Sequence, residues 1–66
     1  MVKVIQVSPN FDLECEQEGT TFTVSAVQRL PWRPIMESRT AYNKKDGNDL
    51  YLAMKAKYSS PIFYRG

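Results

Sequence analysis

Apolar and polar residues alternate most regularly over 20–30, TTFTVSAVQRL. Phe22, Val24 and Ala26 fall on one side and Thr21, Thr23 and Ser25 on the other. Successive side chains of a strand point to opposite faces, so the run predicts a half-buried strand. The preceding run alternates as cleanly: Phe11, Leu13 and Cys15 against Asp12, Glu14 and Glu16. Gln17-Glu18-Gly19 joins the two as a hairpin, with Gly19 supplying the positive φ of a type I turn with a G1 bulge. Val2 to Val7 places apolar residues on both faces, which predicts an interior strand. Ser8-Pro9-Asn10 is the turn that follows it. These three strands read as an antiparallel meander whose dry face holds Phe11, Leu13, Cys15, Phe22, Val24 and Ala26.

The pattern stops after Leu30. Neither proline of Pro31-Trp32-Arg33-Pro34 can donate to a ladder, and 31–47 reads as an irregular crossover, with a short helical turn allowed at Pro34. Seventeen residues of crossover is long for so small a domain, which marks either a functional loop or a missed element. Over 48–58 the period becomes helical. Leu50, Met54 and Tyr58 recur at i, i+4 and i+8, and Ala53 extends the stripe. Asn48 caps this helix, Asp49 suits its positive end, and Lys55 and Lys57 suit its negative end. Asp46-Gly47 is also a hairpin signal. Pairing Tyr42–Lys44 with Leu50–Leu52 across it gives the alternative, a small all-β barrel. Ile62-Phe63-Tyr64 is expected as a short closing strand. The expected fold is α+β: a three-stranded antiparallel meander plus a short C-terminal strand, with one helix on one face.

Sixty-six residues make a single domain, 1–66. Such a chain buries only roughly 60% of its unfolded surface, and its core supplies about 3–5 kcal/mol. One cysteine excludes an intrachain disulfide, and the absence of histidine removes the commonest zinc ligand. No apolar run reaches the ~20 residues that span a bilayer, and the N-terminus does not read as a secretory signal. The expectation is a complete cytoplasmic product, a monomer or homodimer, without cofactor or metal.

Charge is divided along the chain. Residues 1–26 carry Lys3 against Asp12, Glu14, Glu16 and Glu18, a balance of −3; residues 27–66 carry eight cations against three carboxylates, a balance of +5. Either the basic half is a binding surface, or the two halves neutralise each other in the fold. The second reading is preferred.

Candidate chemistry is sparse. Without histidine there is no imidazole base and no Ser-His-Asp or Cys-His pair. The three glycines are far apart, so no phosphate loop exists. Cys15 lies between Glu14 and Glu16, which do not favour a thiolate, and reads as a buried structural residue. An enzyme is not expected. What remains is surface. Trp32 beside Arg33, held between prolines, has the composition of an interface hot spot. With Arg29 and the acidic stripe Asp12, Glu14 and Glu16, it forms the candidate protein-binding set. The stripe also has a plainer reading, as the wet side of a strand. A second candidate set, Arg29, Arg33, Lys44, Lys45, Lys55 and Lys57, suits a nucleic-acid interface, since basic residues alternate there with aromatics. The preferred expectation is a non-enzymatic binder of a larger protein, an inhibitor or adaptor of the size phages and mobile elements encode. The alternative is a nucleic-acid-binding module.

Overall fold

The computed structural model describes residues 2–59. Four strands, β1 (Val2–Gln6), β2 (Phe11–Glu18), β3 (Thr21–Gln28) and β4 (Ile35–Ala41), are followed by one helix, α1 (Lys44–Tyr58). The sheet is an open antiparallel meander in the order β1-β2-β3-β4, and α1 packs on one of its faces. The chain is an α+β fold, and the sheet does not close into a barrel. The expected closing strand at Ile62–Tyr64 lies outside the described residues.

The register fixes the faces. Leu13 pairs with Ala26 and Cys15 with Val24, so the predicted dry side of the meander is the side α1 covers. Phe11, Leu13, Val24, Ala26, Met54 and Tyr58 form the core. Leu13 and Ala26 are fully buried, and the Phe11 and Tyr58 rings meet at 5.1 Å with a 55° tilt. Tilted ring pairs of this kind add to the area they bury.

Several expectations are corrected. β1 is an edge strand: Val2 and Val4 are each 54% exposed, because α1 rests on β2, β3 and β4. The loop between β2 and β3 has only two residues, Gly19-Thr20, since Glu18 already pairs with Thr21. Gly19 alone carries positive φ there, which is the demand of a type II′ turn. Residues 35–41 are a strand, and Pro34 precedes it without starting a helical turn; Ser25 faces Ser38 and Thr23 faces Thr40. A bulge between Ala26 and Val27 skips Met36. The Ser8 turn stands as expected, with Ser8 Oγ accepting from the Phe11 amide at 3.1 Å.

The helix begins a turn earlier than Asn48. Asn43 is the cap: its Oδ1 accepts from the Asp46 amide at 2.8 Å and its Nδ2 donates to Asp46 Oδ2 at 2.9 Å. The first bond is an N-cap, which satisfies one of the helix's unpaired amides; the second ties the two side chains together. Asp46-Gly47 therefore sits inside the first turn and makes no hairpin. Gly47 is buried because Phe22 crosses it closely; a Cβ there would lie 2.7 Å from Phe22 Cγ and 2.9 Å from its Cβ. Met54 and Tyr58 are buried, Leu50 and Tyr51 pack against the core, and Ala53 is exposed.

Candidate functional site

The two ends of the sequence's charge division meet on the face α1 leaves open. Asp12, Glu14 and Glu16 share that face of β2, one residue out of phase with Leu13 and Cys15. Asp12 is not solvated: it is buried beneath two arginines. Arg33 Nη2 donates to Asp12 Oδ2 at 3.2 Å and to Glu14 Oε2 at 3.1 Å, and Arg29 Nη1 stands 3.6 Å from Asp12 Oδ1. Glu16 lies farther along the strand, exposed. The carboxylates bonded to Arg33 hold its pKa above the ordinary value. In this cluster the acidic and basic halves neutralise each other, as the preferred reading of the charge anticipated.

These arginines belong to a pinned loop. The Gln28 amide donates to Pro34 O at 3.0 Å and closes its base, and the Arg29 amide donates to Asn10 O at 2.8 Å. At the tip, the Arg33 amide donates to Leu30 O at 2.9 Å. That bond defines a β-turn with Pro31 at its second position, which proline presets, and Trp32 at its third. Arg33 has φ +44°, a conformation uncommon for a side-chain-bearing residue; its two carboxylate bonds hold it there. Trp32 projects from the turn, 72% exposed. Ile35 and Met36, just beyond the loop, are 63% and 54% exposed.

The cations of the second set are dispersed. Arg29 and Arg33 are committed as described. Lys57 Nζ donates to Glu37 Oε1 at 2.7 Å. Lys44 and Lys45 open α1, and Lys55 lies over the Tyr51 ring at 5.9 Å.

A second cluster has no counterpart in the reading of the sequence. Glu37 points to the helix side of β4 and receives three donors: Lys57, the Tyr58 hydroxyl at 2.7 Å, and Arg39 Nε at 2.7 Å. Together they hold the Glu37 carboxyl down at about 2. Burial, and then the bond to Glu37, push the Tyr58 phenol up to about 12. Only the packing of α1 on β4 reveals this group, because its members come from two elements about 20 residues apart in sequence.

Cys15 is half-buried. Burial raises its thiol pKa, and Lys3, its cross-strand partner, offsets this in part. It lies on the floor of an open groove of about 840 Å³ between β1 and α1, lined also by Lys3, Ile5, Phe22, Val24, Lys44 and Tyr51. Among the described residues, no group of three His, Cys, Asp or Glu side chains is placed to hold a metal ion. No helix among them is long and apolar enough to cross a membrane.

Fold and clusters together define a small open-sheet α+β domain whose ordered polar chemistry lies at its surface. The sequence matches no family model, no curated protein and no solved structure.

Proposed function

We propose that the chain is a non-enzymatic binding module that docks on a larger protein, as an inhibitor or adaptor, through the loop 29–34. The carrying observation is Trp32: a large aromatic side chain, mostly exposed, on a turn fixed by a proline, a closed base and two arginine–carboxylate contacts. An exposed tryptophan costs solvation in the free protein and is the residue type most enriched in binding hot spots. A fixed turn also presents it without the ordering cost that a loose loop pays on association. Arg29 and Arg33 then serve the interface by holding the turn, with Asp12 and Glu14 as their anchors.

Binding of nucleic acid is the weaker reading. Three of its six cations, Arg29, Arg33 and Lys57, already face carboxylates within 4 Å, so their charge is not free to replace counterions on phosphates.

The test is affinity capture from a lysate of the source cell, with and without nuclease, using the native chain and Trp32→Ala. A protein partner retained after nuclease and lost with Trp32→Ala, at an unchanged melting temperature, supports the reading. Capture that disappears on nuclease treatment, or that Trp32→Ala leaves intact, overturns it.

A further inference from the structure

The geometry points to a second docking site: the groove between β1 and α1 receives an amphipathic helix of a partner protein, one whose apolar stripe is flanked by acidic residues. It lies across the sheet from Asp12 and Glu14, the anchors of the Trp32 loop, and does not depend on that loop.

Width is the first reason. α1 is centred on β3 and reaches β2 and β4. From β3 to β1 is two strand spacings, about 9.5 Å, which falls within the ~8–10 Å at which helices pack side by side. The helix side of the sheet therefore has room for one more helix, seated over β1 and β2. The floor it would meet is apolar: Ile5, Cys15, Phe22 and Val24, with the Tyr51 ring as one wall. A helix laying an i, i+3, i+4, i+7 stripe into such a groove is an established mode of recognition.

Charge is the second reason. Lys3 stands on the β1 bank and Lys44 on the α1 bank. Lys55, over the Tyr51 ring, adds a third cation on the α1 side. None of the three makes an ion pair among the described residues. Among the described residues, the one carboxylate-bearing residue along the groove is Glu16, on the strand face opposite to Cys15. Lys44 also sits at the positive end of α1, where a cation is disfavoured unless an anion answers it. Acidic flanks on the occupant would answer Lys3 and Lys44 together. Phe22 and Tyr51 also give the groove aromatic surface on which nucleobases could stack, so an oligonucleotide is one arm of the test.

Cys15 is the only cysteine and reports on the floor. The experiment measures its alkylation by iodoacetamide in the full chain, alone and with each of three probes. These are a synthetic amphipathic helix with leucines at i, i+3, i+4 and i+7 and glutamates on both flanks, its twin with lysines for glutamates, and a single-stranded oligonucleotide. The glutamate helix should slow alkylation several-fold at saturation, and the lysine twin and the oligonucleotide should not. Lys3→Glu/Lys44→Glu, both at exposed positions, should keep the native melting temperature and weaken the glutamate helix roughly tenfold, since two rim pairs become repulsions. Trp32→Ala should leave the protection unchanged, which separates this site from the loop. No slowing by the glutamate helix, or equal slowing by its twin, overturns the proposal. Protection by the oligonucleotide alone assigns the groove to nucleic acid instead. A free chain already protected at Cys15 and sedimenting as a dimer assigns it to a second copy.

Discussion

Each face of the sheet holds one carboxylate with cations gathered on it, and the two clusters are put to different uses. On the open face Asp12, its side chain 9% exposed, anchors Arg29 and Arg33. Those cations come from a loop, so the contact fixes where a loop stands. On the covered face Glu37, its side chain 17% exposed, receives Arg39, Lys57 and Tyr58. Those donors come from β4 and the last turn of α1, so the contact fixes how the helix end lies on the sheet. The same pairing chemistry presents a residue on one side and closes the core on the other. Perturbing the covered face should cost stability; perturbing the open face should cost order in the loop.

Tyr58 gives the widest separation, because it belongs to both the core and the Glu37 cluster. Tyr58→Ala removes a buried ring and should cost about 3–5 kcal/mol. A core of this size supplies about 3–5 kcal/mol in total, so the variant should be largely unfolded at 25 °C by far-ultraviolet circular dichroism. Tyr58→Phe keeps the ring against Phe11 and loses the bond to Glu37, at about 1 kcal/mol in urea unfolding. Equal losses in the two variants would mean that the cluster, and not the ring, carries the contact.

Gly47→Ala comes next. Alanine is the better helix former by about 1 kcal/mol, so at an exposed position the change would stabilise. Here the new Cβ would meet Phe22 Cγ at 2.7 Å and its Cβ at 2.9 Å; a rotamer change could move Cγ, but Cβ is fixed to the backbone. Overpacking of this kind costs about 1–3 kcal/mol, so the net result should be a loss of ~1 kcal/mol. A gain in urea midpoint would show that α1 shifts off β3 without penalty.

On the open face, Asp12→Asn should cost a similar ~1 kcal/mol, since an amide still accepts from an arginine but no longer attracts its charge. Its sharper effect is on the loop. Trp32 is the only tryptophan, and its fluorescence anisotropy should fall as the turn is freed. An unchanged anisotropy would mean that Pro31 and the Gln28–Pro34 bond hold the turn unaided.

The parts legible from the sequence are those where one face is apolar and the other wet. β2, β3 and the Leu50, Met54, Tyr58 stripe obey that rule and could be read directly. β4 does not, because its helix-side positions are Glu37, Arg39 and Ala41. Two of the three are charged and are satisfied by a cluster that exists only once α1 is in place, so alternation is lost. β1 misled in the opposite sense: apolar on both faces, it looked interior, yet it is the edge beside the groove. Asp46-Gly47 is a hairpin signal in isolation; the cap from Asn43 and the approach of Phe22, both outside the dipeptide, make it a helix turn. The Asp12, Glu14, Arg29 and Arg33 set was named from composition, but its assembly into one cluster follows from a register that no local pattern prints.

The smallest effect, and the most specific to the covered face, is in pH. The Glu37 carboxyl lies at about 2 in the folded chain against an ordinary value of 4.5. A depressed carboxyl contributes stability that is complete above the unfolded value and is lost as pH falls from 4.5 toward 2. Tyr58 behaves in mirror image: at about 12 against an ordinary 10.0, its contribution is complete below 10.0 and is lost as pH rises toward 12. Between those limits the clamp on the helix end should be insensitive to pH. Glu37→Gln isolates its acid side, since every other carboxylate is retained; from pH 4.5 to pH 2 the urea midpoint of the native chain should fall further than that of the variant. On the alkaline side the variant's highest tyrosine titration should move down but stay above 10.0, because burial is the larger cause of its rise. Parallel acid profiles for the two proteins would mean that Lys57 and Arg39 grip Glu37 no more tightly folded than unfolded, and the contrast between the two faces would then rest on Tyr58's ring alone.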